Sequence, residues 1–236
     1  MERDIKIIDE NSEYYPENLR LIANRPKQLY CAGDLKLLNS TSIAVIGSRK
    51  YTIYGKNVAS MIGSTLAQAG VPVVSGLAGG IDTFAHEGVL SVDGGRPIAV
   101  LGTGIDRPYP KKNAKLYERV LEAGLIVSEY PPEFEGAPYS FPARNRIIAG
   151  LCTSLVVIEA NFKSGSLITC QFAMDQGKTV YAVPGNINSQ FSMGTNLLLR
   201  DGATPLVVID DLIADIKKDN MPTLEDKAAS LGEDER

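Results

Sequence analysis

Short, almost uninterrupted apolar runs recur along the chain, and a segment of helical period follows most of them. The runs are Ser42–Gly47 (SIAVIG), Val73–Gly76 (VVSG), Ile98–Gly102 (IAVLG), Leu125–Ser128 (LIVS), Leu155–Glu159 (LVVIE), Thr179–Val183 (TVYAV) and Leu206–Ile209 (LVVI). Runs of this kind are strands buried on both faces of a parallel sheet. Amphipathic stretches at about 54–69, 82–92, 111–123, 144–152, 166–176 and 195–200 predict the intervening helices. Strand alternating with helix gives the fold class: α/β, a doubly wound, mostly parallel sheet with helices on both faces. Residues 1–40 lack this rhythm and are expected to form a short N-terminal lead-in packed on the core. Residues 41–216 form the α/β domain, and 217–236 an acidic, disordered tail.

Ligands of open α/β sheets bind beyond the carboxyl ends of the strands. Five of the first six strand ends carry glycine: Gly47-Ser48-Arg49-Lys50, Ser75 through Gly76, Gly79, Gly80 and Asp82, Gly102-Thr103-Gly104, Lys163-Ser164-Gly165-Ser166, and Pro184-Gly185-Asn186. Backbone N–H groups at such turns lack intrahelical partners and suit phosphate. Each turn alone is ordinary punctuation, and Asp82 fits a plain N-terminal cap. Together with Arg49, Lys50, Lys163, Arg144 and Arg146, they predict an anion-binding rim. Residues 140–150 (SFPARNRIIAG) place two cations near a helix start, where the helix dipole disfavours them. Aromatic residues sit beside these cations: Phe141 before Arg144, Phe162 before Lys163, Tyr51 and Tyr54 after Arg49. Such a pair can stack a base while the cation meets its phosphate. Phe141 fits equally well as a hydrophobic staple on Ile147 or Ile148.

Charge and chemistry narrow the picture. The formal net charge is −4, but residues 210–236 carry nine acids against four bases. The remaining 209 residues have a net charge of +1, so an anionic partner is not excluded. The single histidine, His86, lies within a helical stretch and reads as a packing residue. Cys31, Cys152 and Cys170 show no paired spacing, and no metal-ligand pattern occurs. No serine, cysteine or threonine has a relay partner, and neither the Walker A spacing nor G-x-G-x-x-G follows strand one. No catalytic residue, metal or cofactor is therefore expected. With no run of about 18 apolar residues and an acidic, h-region-free start, neither a membrane span nor a signal peptide is expected. Reduced thiols fit a cytoplasmic protein.

Nine motifs, in order, resemble the DNA-processing protein A family, also called Smf or DprA: GSRKYTIYG, SGLAGGIDTFAHEGVL, GTGIDRPYPKKN, SEYPP, SFPARNRIIAGL, VVIEA, SGSLIT, QGKTVYAVPGN and GTNLLLRDGA. The resemblance implies an extended Rossmann-like core that binds single-stranded DNA, protects incoming DNA and loads the RecA recombinase in natural transformation. It also implies a homodimer. Carried onto this chain, it implies a DNA pocket of Gly47, Ser48, Arg49, Lys50, Gly76, Gly79, Gly80, Asp82, Phe141, Arg144, Asn145, Arg146, Lys163, Ser164, Gly165 and Ser166. Asn196, Leu198 and Leu199 fall where the family's self-interface is expected. Many members carry a helical domain before the core and a winged-helix-like domain after it; neither pattern is present in these 236 residues.

Two other classes share such a sheet. Phosphoribohydrolases of the lysine-decarboxylase-like group carry G-G-x-G-T-x-x-E, and aligning Gly165-Ser166 with its second G-T puts Thr169 where the catalytic glutamate belongs. A threonine cannot serve as that acid or base at neutral pH. A nucleotide-sensing module would use the same rim for a small ligand.

Overall fold

A computed structural model describes residues 4–219. In chain order the elements are β1 (Lys6–Asp9), α1 (Glu17–Arg20), β2 (Gln28–Gly33), β3 (Ile43–Ile46), α2 (Ile53–Gln68), β4 (Val73–Ser75), α3 (Ile81–Val89), β5 (Pro97–Leu101), α4 (Ala114–Ala123), β6 (Leu125–Ser128), α5 (Ser140–Leu151), β7 (Ser154–Val157), α6 (Ser166–Asp175), β8 (Thr179–Ala182), α7 (Met193–Arg200), β9 (Thr204–Pro205) and α8 (Ile209–Asp219). The strands form one nine-stranded sheet in the order β1-β2-β6-β5-β4-β3-β7-β8-β9. From β6 to β9 every pairing is parallel; β1–β2 and β2–β6 are antiparallel. This is the α/β class expected from the apolar runs.

Two stretches depart from the sequence pattern. The lead-in does more than pack on the core: β1 and β2 extend the sheet edge, with Tyr30 opposite Ser128 and Gly33 opposite Leu125. The run at Leu206–Ile209 is not a strand. Pairing stops at Pro205, Val207 is 75% exposed, and Ile209 begins a helix. Residues 217–219 continue α8, and the rest of the expected tail lies outside the described residues.

Alternation along the strands sorts the core into two faces. Ala44, Ile46, Ile98, Val100, Leu125 and Val127 point to the side covered by α1, α5 and α6. Ile43 and Val45 point the other way, into the layer of α2, α3 and α8, and Ala99, Leu101 and Ile126 join α4 there. The chain runs outward from β3 through β4 and β5 to β6, then returns to place β7 on the other side of β3. That reversal is the topological switch point, where a crevice opens between helices on opposite faces. Among the described residues no helix is long and apolar enough to cross a membrane.

His86 sits fully buried on α3, and neither ring nitrogen has a hydrogen-bond partner among the described residues. Burial holds its pKa down to about 3. The imidazole is therefore neutral in the fold, whereas in the unfolded chain it protonates near the ordinary value of about 6.5. Below that pH the unfolded state binds a proton that the native state refuses. Stability should thus fall by about 1.4 kcal/mol per pH unit as acid is added. Denaturant unfolding at pH 7 and pH 5 should show a loss of about 2 kcal/mol from this group, absent in His86→Leu.

Candidate nucleic-acid interface

The cleft at the switch point has a volume of about 490 Å³. The β3–α2 turn supplies Gly47, Ser48, Arg49 and Lys50; the start of α3 supplies Asp82; α5 supplies Phe141, Arg144 and Asn145; the β7–α6 loop supplies Asn161, Ser164, Gly165 and Ser166. Segments far apart in sequence thus meet because β3 and β7 are neighbours. A smaller chamber of about 160 Å³ adjoins it across Arg49, Ala78, Phe141 and Arg144. Its lining adds Gly76, Gly79, Gly102, Tyr109, Pro110 and Lys112.

Two of the turns are not the open donor sets that their glycines suggested. The Asp82 carboxylate folds back and accepts from Gly76 N at 3.1 Å, with the amides of Ala78 and Gly47 also donating to it. Burial pushes its carboxyl pKa up, while Arg144 and these three amides pull it back. Glu159, also buried, accepts from Thr52 N at 2.9 Å and from Thr52 Oγ1 at 2.5 Å, and so occupies the start of α2. Thr52 in turn caps Gly55 N. Two built-in carboxylates therefore hold places that a phosphate would take, one at the start of α2 and one among the amides of the β3 and β4 strand-end turns. The start of α6 is different: Ser164 and Ser166 share a 2.7 Å hydroxyl contact, and a Cβ at Gly165 would meet nothing within 4 Å.

The cations divide into three kinds. Arg49 and Lys50 are exposed and form no hydrogen bond or ion pair through their side chains among the described residues. The Arg49 guanidinium lies 5.9 Å from the centroid of the Phe141 ring. Arg144 is buried: Nη1 donates to Gly76 O at 2.8 Å and to Val100 O, and Nε donates to Asn145 Oδ1 at 3.2 Å. Burial lowers its pKa to about 10, opposed by Asp82 and reinforced by Arg49. Arg144 is thus chiefly a brace across the ends of β4 and β5. Arg146 does not reach the rim. It forms an ion pair with Glu129 at 2.5 Å and donates to Asn24 O at 2.6 Å, fixing the lead-in to α5. Two residues along a helix turn the side chain to the opposite face. Lys163 is exposed above the Phe162 ring at 5.3 Å, on the loop beside the cleft rather than lining it.

Phe141 is half-buried. Its ring lies against the Gly102 turn, where a Cβ would come within 2.7 Å of it, and 5.3 Å from the Tyr109 ring. The ring packs on strand-end glycine and lines both chambers, which argues against the staple on Ile147 or Ile148. Tyr109 and Lys112 went unnoticed in the sequence. Lys112 forms no hydrogen bond or ion pair through its ammonium among the described residues, and that ammonium would sit 3.0 Å from a Cβ at Gly79. Their signal was the YPKKN stretch after a glycine turn. Thr169 is buried and lines the cleft with no acid in its place. On α7, Asn196 is committed internally, accepting from Gly185 N at 3.2 Å and donating to Gly185 O at 3.0 Å, and Leu198 and Leu199 pack partly against the core.

A family model described as DNA recombination-mediator protein A matches residues 6–217. Protein Smf of Escherichia coli K12 is 39% identical over 212 residues, which are 89% of this chain and 56% of that protein. The X-ray structure of DNA processing protein A from Streptococcus pneumoniae has a TM-score of 0.85 at 40% identity, over 89% of this chain and 74% of that one. DNA processing protein A from Helicobacter pylori, which has a unique single-stranded DNA binding mode, has a TM-score of 0.83 at 32% identity, over 92% and 97% of the two chains. The chain thus spans little more than half the length of its Escherichia coli relative. A match that runs from the first strand into the last helix, on a backbone shared this closely, makes the chain a member of the DNA recombination-mediator protein A family.

Proposed function

We propose that this chain binds single-stranded DNA in the switch-point cleft, stoichiometrically and without chemistry on the strand, and presents it to a RecA recombinase during recombination or transformation in the cytoplasm. The observation that carries the reading is the pairing of unneutralised Arg49 and Lys50 with the half-buried Phe141 ring in one open cleft. A cation for the backbone beside an aromatic face for a base is how single strands are held without sequence readout. The Helicobacter pylori relative, with its single-stranded DNA binding mode, supports the substrate. The two internal carboxylates weigh against the nucleotide sensor, because a nucleotide's phosphates would find the start of α2 and the Gly76 turn already occupied. Thr169 weighs against the phosphoribohydrolase. A homodimer through α7 would place two clefts on one particle and raise avidity. Since Asn196 is held by Gly185, Leu198 and Leu199 are the better candidates for that contact.

Arg49→Ala should weaken binding to oligonucleotides of any sequence by about tenfold. It should also lower the slope of log affinity against log salt by about 0.7, the share of one phosphate contact on a single strand. Its melting temperature should stay that of the wild type, because the side chain is exposed. Fluorescence anisotropy with single- and double-stranded oligonucleotides, with and without a RecA recombinase, reads both quantities. Equal affinity for a mononucleotide and a long strand would favour the sensor instead.

A further inference from the structure

The start of α2 carries apolar surface that the fold does not use. Tyr51 is 43% exposed, Tyr54 53% and Ile53, between them, 80%. The Tyr51 ring stands edge-on to Phe84 of α3, with centroids 4.7 Å apart. The Lys56 ammonium lies 5.2 Å from the centroid of the same Phe84 ring. Neither Lys50 nor Lys56 has a carboxylate partner among the described residues.

This cluster is continuous with the cleft. Gly80, which opens α3, lies so close to the β3–α2 turn that a Cβ there would come within 2.7 Å of Arg49 O. Phe84 follows Gly80 by one helical turn, its N–H donating to Gly80 O, so the Tyr51–Phe84–Lys56 group adjoins the turn that carries Arg49. The exposed Tyr51 ring and the unpaired ammonium groups of Lys50 and Lys56 share this surface. Every base has a π-face, so such a strip accepts a strand regardless of sequence. A protein partner fits less well, since lysine is depleted at the cores of protein interfaces.

We infer that a single strand leaving the cleft continues over the start of α2, with a base stacked on Tyr51 and phosphates met by Lys50 and Lys56. This inference rests on the single-strand reading and adds a direction and a minimum length to it. The chain contains no tryptophan, so Tyr51→Trp introduces a single indole at the point in question. Oligo-dT of about twelve nucleotides should quench its emission about twofold, whereas about four nucleotides should fill the cleft and leave it bright. Tyr51→Ala combined with Lys56→Gln should lower affinity for the long oligonucleotide about tenfold and leave affinity for the short one unchanged. Wild-type affinity of that double variant, with an unquenched indole in Tyr51→Trp, overturns the path and leaves the surface to a protein. Should the wild type bind neither length, the single-strand reading itself fails and takes this inference with it, a result distinct from the first.

Discussion

Replacing Arg144 with alanine should cost about 3 kcal/mol of stability, and oligonucleotide binding should collapse with it. The guanidinium is buried between Gly76 O and Val100 O, so its removal strands two carbonyls at the ends of adjacent strands. It also removes the positive charge that most offsets the burial of Asp82. A loss of that size should lower the melting temperature by about 10 °C in a chain of this length. The pH dependence identifies the cause. Without Arg144, burial raises the Asp82 carboxyl pKa further, so the native variant takes up a proton at a pH where the unfolded chain does not. More protons on the native state mean that stability falls as pH rises. The deficit relative to wild type should therefore be greatest at neutral pH and shrink toward pH 5. Denaturant unfolding of both proteins at several pH values measures this, and a deficit independent of pH would remove Asp82 from the explanation. The contrast with Arg49→Ala is the practical point: two arginines beside one ring fail differently, one by unfolding and one by losing phosphate.

Six apolar runs became strands where the sequence placed them, because a strand buried on both faces needs an unbroken apolar run, and hardly anything else of four or five residues does. The seventh run, Leu206–Ile209, shows the limit of that rule. A short apolar run has no period of its own. Ile209, Leu212, Ile213 and Ile216, at helical spacing, pack on the α2 side of the sheet and carry the register of α8 instead. That spacing was legible, but its first residue, Ile209, also closes the apolar run that reads as a strand. The lead-in was opaque for a different reason: β1 pairs only with β2, and β2 finds its place in the sheet only through its non-local pairing with β6.

In the site, the gathering of the glycine turns was legible because parallel topology brings all strand ends to one edge, whereas Phe141, set beside Arg144 in the sequence, lies near Arg49 in the fold. Side-chain direction was legible in principle for Arg146, two positions from Arg144 on one helix, and should have separated them. What the sequence could not show was the fate of the turn amides. A carboxylate at position 82 reads as a local cap, yet it reaches back to Gly76, and Glu159 reaches across to Thr52. The Glu159 contact depends on β7 lying beside β3, and the Asp82 contact on how the β4–α3 loop folds back on itself. The rim is thus less a ring of free donors than a braced frame, with its usable positive charge on Arg49, Lys50, Lys112 and the start of α6.

Gly80→Ala tests that frame directly. Gly80 has φ 93° and ψ −133°, a conformation that residues with a Cβ rarely adopt. A Cβ would also lie 2.4 Å from Ser48 O and 2.8 Å from Arg49 Cα, against backbone that cannot swing aside. Strain and overpacking together should cost about 3–5 kcal/mol. The same clash drives α3 away from the β3–α2 turn, loosening the hydrogen bond from Ile81 N to Ser48 O and shifting Arg49 from its place over Phe141. Gly165→Ala is the matched control. Its backbone is helical at φ −63° and a Cβ there meets nothing within 4 Å, so its stability should stay within about 1 kcal/mol of wild type. Calorimetry on the two variants should therefore separate them by about 10 °C, with Gly80→Ala the lower. If both melt together near wild type, the Arg49 turn tolerates displacement of α3, and the rigidity attributed to this edge of the cleft does not exist.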